Sequence, residues 1–473
     1  MIELAGNARL ADVVAVADGA AVRVPGAAVE AVSRAHALAR RLSAEVPTYG
    51  RTTGVGANKT ALVDDDAHGL RLLRSHAVDA GEELPARAVR AMLAVRLNQL
   101  CVTGSGADPM VLRALERMLN ANALPTVRAH SSIGTGDLGA LAGTALTLMG
   151  ERPATGPLEP MAPWSRDSAL PFISSSALTI GRTCLVVDAL DRLDRAAAVV
   201  YALSFRGLGG NPSILSPAAV RAAASPGVDR VAGRVSRLLG APAGPAGGPA
   251  RIQDAYGLRA FPISQGAFTH ALGALAEQAG RVLRTAQENP LFDLSAETVV
   301  HHSAFHQVAL GLALDGCALA LAQTGPLVMS RIGMLNEPGF TRLRPFLAAE
   351  QEGASGLMMV EYVAASALAE LRAAAQPASL GSVVLSRGAE EDASFASQAV
   401  VQAERAVTAY RLLLACELVG AVRLLRQQGA ELAARPLRDA LDLAGRLPAE
   451  DADRDLRGDL EIAQQLLDGL SRV

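Results

Sequence analysis

Aromatic residues make up only 3% of this 473-residue chain, with one Trp and five Tyr, although half of all residues are hydrophobic. The apolar half is mostly Ala, Leu and Val. Strand-rich chains draw on β-branched and aromatic side chains, so the shortage argues against a mainly β protein. Cysteine is scarce too. Cys101, Cys184, Cys317 and Cys416 lie far apart, mostly inside apolar stretches. No pair has metal-ligand spacing and no disulfide framework is implied; all four read as small buried hydrophobes. Neither sign of charge dominates, with a net charge of −3. The chain therefore has no basic field to hold nucleic acid or an acidic membrane surface. The longest apolar run, from Val308 to Met329, is interrupted by Asp315, Gln323 and Pro326. That suits a core helix better than a membrane span. The start, Met1-Ile2-Glu3-Leu4, has an early acid and no charged-then-apolar pattern, so no signal peptide is expected. A soluble, cytoplasmic protein is the expectation.

What the chain does have is helical periodicity on a large scale. Its length exceeds the ~100–200 residues of one compact core, which requires several domains or one extended architecture. Helices are predicted over 8–20 and 27–44, the latter from the spacing of Val29, Val32, Ala35, Leu38 and Leu42. More follow over 67–80, 85–103, 108–121 and 137–149, where Asp137 sits in the first turn and suits the helix dipole. From 265 to 375 the chain is Ala- and Leu-rich, with spans long enough for a bundle. Residues 395–425 form one more long helix, and 430–473 are charged and amphipathic. Two Gly/Pro-rich stretches, Gly207 to Pro217 and Gly240 to Pro249, read as connections; the second fits either a surface loop or a lid. The expected organisation is an N-terminal part over 1–190, a central bundle over 191–430 and a helical tail over 431–473.

Polar clusters interrupt this background. One is the loop Pro47-Thr48-Tyr49-Gly50-Arg51-Thr52-Thr53-Gly54-Val55-Gly56. Others are Gly134-Thr135-Gly136-Asp137, Gln253-Asp254-Ala255-Tyr256-Gly257-Leu258-Arg259, Gln287-Glu288-Asn289-Pro290-Leu291 and Glu390-Glu391-Asp392. Two of the five tyrosines lie in these loops. A phenol whose pKa is lowered by nearby cations can abstract a proton, and an Arg can hold a carboxylate with two parallel bonds. Taken one at a time, these residues read equally as core anchors and surface charges.

Taken in order, the clusters resemble the histidine and phenylalanine ammonia-lyase family, which includes the related aminomutases. The likeness runs from about Gly6 to the end of the chain. Tyr49 to Gly56 is similar to the family's Tyr-Gly-x-Asn-Thr-Gly-Phe-Gly loop, and Ser75-His76-Ala77 to its Ser-His segment. Arg96 and Gly104-Ser105-Gly106 follow. Gln253 to Arg259 resembles Gln-Asp-Ala-Tyr-Ser-Leu-Arg with one change, Gln287 to Leu291 resembles Thr-Asp-Asn-Pro-Leu, and Phe305-His306 resembles the end of Asn-Phe-His. Pro377-Ala378-Ser379 and the Glu390 loop complete the series. The resemblance implies a mainly α fold with a long central helical bundle of the fumarase/aspartase-like type and a mixed N-terminal part. It also implies a homotetramer, with each active site built from three subunits.

Members of the family make an electrophile, a methylidene-imidazolone ring, from Ala-Ser-Gly. Here the triplet is Gly134-Thr135-Gly136, followed by Asp137, whose counterpart assists cyclisation. Gly134 adds backbone freedom. Thr135 would leave a methyl group on the carbon that the amine attacks, which costs roughly 1–3 kcal/mol in a tight site. Ser174 stands where the family has Asn, Ala304 replaces an Asn and Ala389 a Gln. By the resemblance, Tyr49, Tyr256 and Glu390 are catalytic together with Thr135, and His76, Ser174, Gln253, Arg259, Asn289 and Phe305 bind substrate. His76 and Glu390 favour a polar side chain on that substrate. His301, His302 and His306 lack the carboxylate or Cys that would complete a metal site, so no metal and no external cofactor is expected. The intact Tyr49, Tyr256 and Arg259 leave two enzyme readings open. One is an ammonia-lyase or aminomutase working through a methyl-substituted ring. The other dispenses with the ring and uses the Tyr base for another elimination, an isomerisation or a cyclisation. An inactive scaffold is the non-enzyme alternative.

Overall fold

The computed structural model describes residues 1–240 and 251–473. The Gly/Pro-rich stretch after Gly240 therefore lies outside the described residues. The fold is mainly α. Its long helices are Gly26–Glu45, Ala177–Gly207, Phe261–Leu283, Val308–Asn336, Met358–Ala374 and Ala396–Gln427. Among the described residues, strands occur only as two-stranded ribbons: Ile2–Glu3 with Val22–Arg23 in parallel, Ala80–Glu83 with Arg128–His130 and Leu291–Asp293 with Thr298–Val300 antiparallel.

The chain divides into two compact units. The first comprises Met1–Asp188, Leu275–Leu314 and Ala378–Val401, and the second Ala189–Ala274, Asp315–Pro377 and Gln402–Val473. Each unit is assembled from three separate stretches, whereas the expected segments 1–190, 191–430 and 431–473 follow chain order.

Small residues explain how close the helices approach. In the first unit a Cβ on Gly181 would come within 2.8 Å of the Ala91 and Met92 backbone, so helix Ala86–Leu100 lies directly on helix Ala177–Gly207. In the second, Gly325 admits Leu368, Leu371 and Leu413. The few aromatics are concentrated there: Tyr201 and Phe261 stack at 3.9 Å, and Tyr410 lies 6.4 Å from Phe268.

Helix Val308–Asn336 runs on through Pro326, and Ala177–Gly207, a helix of 31 residues, lies in a stretch for which the sequence reading predicts no helix. By length and composition, Ala169–Gly207 and Val308–Asn336 would both be able to cross a membrane; the most apolar window of the first is entirely buried within the protein, and 56% of the second is. Finally, Asp137 occupies the N-cap position of helix Leu138–Leu148, but its side chain makes no capping bond to that helix.

Candidate active site

The Tyr49 loop leaves helix Gly26–Glu45 and closes on a short turn at Gly56–Asn58. The Gly56 N–H donates to the Tyr49 hydroxyl at 2.7 Å. Gly56 has a φ of +55°, and a Cβ on it would stand 2.6 Å from Ser386 Oγ. That Oγ accepts from the Ala57 N–H at 3.0 Å, so the turn at Ser386–Gly388 is fastened onto the Tyr49 loop. Leu385 then pairs with Glu390, whose carbonyl accepts from the Leu385 N–H at 2.8 Å. The structure thus brings Tyr49 and Glu390 together. Burial raises the Tyr49 pKa, the Gly56 N–H opposes it, and the Glu390 charge raises it again. This corrects the expectation of a phenol lowered by cations. The cation within the loop, Arg51, is fully buried and engaged elsewhere. It donates to the Ser105 and Gly106 carbonyls at 3.1 and 2.8 Å and lies over the Phe292 ring. Its Nε and Nη1 have no hydrogen-bond partner, and burial lowers its pKa to about 10.

The Gly134-Thr135-Gly136 turn is held from several sides. Gly134 and Gly136 have φ of +91° and +108°, which an L side chain rarely adopts. Ser132 Oγ accepts from the Gly134 N–H and donates to the Gly136 carbonyl, both at 3.1 Å, closing the turn on itself. Ser394 Oγ donates to the Gly134 carbonyl at 2.8 Å, and the Phe395 N–H to the Ile133 carbonyl at 2.9 Å. Ser397 Oγ and Gln398 Nε2 donate to the Ser132 carbonyl at 3.1 and 2.8 Å. Gly136 is buried, yet among the described residues its N–H has no acceptor, nor do the Thr135 N–H and hydroxyl. A buried amide left unpaired is rare, because it costs about as much as a lost hydrogen bond.

Asp137 follows, fully buried. Its carboxylate accepts from the Thr179 N–H at 2.8 Å and the Thr179 hydroxyl at 3.1 Å, and its own N–H donates to the Ser175 carbonyl at 2.7 Å. It thus caps the start of helix Ala177–Gly207, the helix packed beside it. Burial raises its pKa, the Thr179 N–H opposing.

Ser174 accepts from the Asn289 N–H at 3.1 Å, which joins two of the expected binding residues. Asn289 Oδ1 in turn accepts from the His302 N–H at 2.9 Å. Phe305 enters through its carbonyl, which accepts from Ser176 Oγ at 3.4 Å. Behind them lies a buried network that the sequence reading left aside. Arg96 donates to the Pro171 carbonyl, the Phe172 carbonyl at 2.9 Å and Glu288 Oε1 at 2.8 Å, while Glu288 Oε2 has no partner. The three histidines are engaged separately: His301 with the Tyr49 N–H, His302 with the Glu288 carbonyl and His306 with Asp392.

His76 ends helix His68–His76, with Nδ1 against Ser75 Oγ and the Leu72 carbonyl. That helix packs on Leu138–Leu148, so closely that a Cβ on Gly139 would meet the Val78 carbonyl at 2.3 Å. Among the described residues no hydrogen bond ties His76 to Tyr49 or Thr135.

Gln253, Tyr256 and Arg259 belong to the second unit. Their loop is anchored by its backbone. The Gly257 carbonyl accepts from Arg331 at 2.9 Å, the Leu258 carbonyl from the Tyr201 hydroxyl at 2.8 Å, and Asp254 accepts from the Asn211 N–H and Arg251. Tyr256 is 67% exposed, with the Arg259 guanidinium 4.3 Å from its ring centroid. Arg259 Nε is buried without a partner.

The chain belongs to the aromatic amino acid lyase family, whose profile matches residues 8–444. Histidine ammonia-lyase of Streptomyces griseus is 31% identical, over 96% of this chain and 93% of that one. Histidine ammonia-lyase from Trypanosoma cruzi superposes with a TM-score of 0.90 at 25% identity, over 99% of this chain and 93% of the other. The ergothioneine-degrading ergothionase of Treponema denticola superposes with a TM-score of 0.91 at 23% identity, over 99% of both chains; this last likeness is one of fold. The chain is a carbon–nitrogen lyase-like enzyme.

The triplet fits the family's ring. Closure needs a free amide nitrogen at the third residue, a carbonyl at the first and a hydroxyl to lose at the second. Gly136, Gly134 and Thr135 supply them.

Proposed function

We propose that this protein is an ammonia-lyase or aminomutase that removes or relocates the amine of a small-molecule amino acid with a polar side chain. The observation that carries this reading is the buried Gly136 N–H without an acceptor, two residues from a Gly134 carbonyl already held by a donor. The methyl-substituted ring from Gly134, Thr135 and Gly136 would supply an electrophile for the substrate's amine.

The remaining roles fall to side chains of this chain. Tyr49, as phenolate, takes the β-proton; the Gly56 N–H steadies its negative charge, which burial and the Glu390 charge oppose. Asn289 and Phe305 line the side of the pocket that Ser174 supports, and His76 with Glu390 faces the substrate's polar group. Arg259 grips the carboxylate through two N–H bonds, with Gln253 and Tyr256 beside it. These last three act from a neighbouring subunit of a cytoplasmic homotetramer, as the family's shared site implies.

A second reading keeps Tyr49 and omits the ring. The Ser174 hydroxyl favours it, being a single donor that already accepts from Asn289 where an Asn would bring two. One experiment separates the readings. The ring lowers the intact mass by two waters, adds near-ultraviolet absorbance and makes Thr135→Ala inactive in ammonia release from histidine and related amino acids. A chain of full mass whose Thr135→Ala variant keeps its turnover establishes the second reading instead.

A further inference from the structure

We propose that Ser394 is the activating donor for closure of the Gly134–Gly136 ring, in a loop that the start of helix Ala396–Gln427 holds in reacting shape. The proposal rests on the ring reading above and assigns it a residue that acts on the chain itself, before any substrate binds.

The chemistry balances without oxidant or co-reactant. A bond forms between the Gly136 nitrogen and the Gly134 carbonyl carbon. The Gly134 oxygen leaves as water with the hydrogens of the Gly136 and Thr135 amides, and the Thr135 nitrogen gains a double bond to that carbon. A second water takes the Thr135 hydroxyl and the Thr135 Cα hydrogen.

Each atom that must react is either free or activated. The two amide N–H groups that lose hydrogen have no acceptor among the described residues, and neither has the Thr135 hydroxyl. The oxygen that must leave is the one Ser394 Oγ holds at 2.8 Å. Ser394 is itself buried, so its bond competes with no bulk water. As the Gly136 nitrogen adds, negative charge builds on that oxygen, and a fixed donor 2.8 Å away stabilises the charge more than it stabilises the resting carbonyl. Ser394 is kept in place because its Oγ also accepts from the Ala396 N–H at 3.4 Å. The neighbouring carbonyls of Ser132 and Ile133 are taken by Ser397, Gln398 and the Phe395 N–H. The loop therefore cannot rotate the Gly134 carbonyl away from Ser394 without breaking three further bonds. Ser132 bridges Gly134 and Gly136 and holds the two ends of the forming ring together.

The test follows intact mass over time in full-length native protein and in Ser394→Ala, with the fragment containing residues 134–136 sequenced by mass spectrometry and folding checked by circular dichroism. The native chain is expected to be short by two waters at harvest. Folded Ser394→Ala is expected to retain both waters at harvest and to lose them about 100-fold more slowly, the cost of removing one such donor. Ser394→Thr, which restores the hydroxyl, should return closure toward the native rate. Native-speed closure in Ser394→Ala overturns the proposal while leaving the ring reading intact, as does equal slowing in folded Ser394→Ala and Ser394→Thr. A native chain of full mass overturns both. If Ser394→Ala does not fold, Ser394→Cys, a far weaker donor of similar volume, must close more slowly than native; equal speed overturns the proposal.

Discussion

Two buried arginine–glutamate pairs, one in each unit, are built differently. In the second unit Arg331 meets Glu417 through two bonds, Nε to Oε1 at 2.6 Å and Nη2 to Oε2 at 2.8 Å, and Ser204 adds a third at 2.7 Å. Burial pulls the Arg331 pKa down, but Glu417 outweighs it and leaves it raised. In the first unit Arg96 reaches Glu288 through one bond, Glu288 Oε2 is unmatched, and burial outweighs the pairing, leaving the Arg96 pKa lowered. A buried ion pair repays its desolvation only with good geometry and satisfied lone pairs. The Arg331 pair meets that condition and serves as an anchor for the Gly257 backbone. The Arg96 pair does not, and it lies beside Asn289 and the segment leading to Ser174. The loop expected to bind a carboxylate stands on a matched pair; the Ser174 and Asn289 segments stand beside an under-satisfied one.

The largest expected effect lies in the first unit. Tyr49→Phe removes the proposed base and should lower turnover by ~10²–10⁴. Chemical denaturation should register only about 1 kcal/mol, for the lost Gly56 bond. Comparable turnover by a folded variant would return Tyr49 to a structural role. Next come the pairs themselves. Glu417→Gln should cost roughly 3–5 kcal/mol, the price of stranding a buried arginine. Glu288→Gln should cost less, about 1–3 kcal/mol, because Arg96 keeps the Pro171 and Phe172 carbonyls as acceptors. Urea midpoints in the reverse order would break the comparison. Thr135→Ser, which removes the crowding methyl, should raise ammonia release from histidine by about 10-fold; a fall in rate would remove crowding as the defect. The smallest effect is a titration. Glu390→Gln removes a negative charge that raises the Tyr49 pKa, so the ascending limb of kcat/KM against pH should move to lower pH. A limb that stays in place would mean that Tyr49 is not the titrating group.

The helical class and most helix positions were legible in composition and periodicity, because Ala- and Leu-rich amphipathic spans repeat at 3.6 residues. Ala177–Gly207 was not, since most of it is buried and only Asp191, Arg195 and Arg206 are exposed, too few to mark a period. The site loops were legible as polar interruptions, and their order carried the family. Their bonding was not. Asp137 reads as a cap for the helix it precedes, yet the helix it serves starts near Thr179, a contact that only tertiary packing creates. Ser132 and Ser394 escaped notice because a serine has no spacing signature. Ser394 lies 260 residues from the carbonyl it holds. The direction of the Tyr49 shift was missed for a similar reason: the nearest cation in sequence, Arg51, turns its guanidinium to the Ser105–Gly106 backbone.

One consequence of the Gly134 geometry concerns redesign. A methyl group at this position would meet Ser394 Oγ at 2.2 Å and the Ala396 and Phe395 nitrogens at 2.9 and 3.0 Å, on a backbone with φ of +91°. The oxygen could swing aside, but the two backbone nitrogens and the dihedral could not. Writing the family's Ala into this chain is therefore no simple substitution, since the loop and the helix start would have to shift first. Attempts to convert this protein into an ordinary Ala-Ser-Gly lyase one residue at a time should stall at Gly134 and not at Thr135.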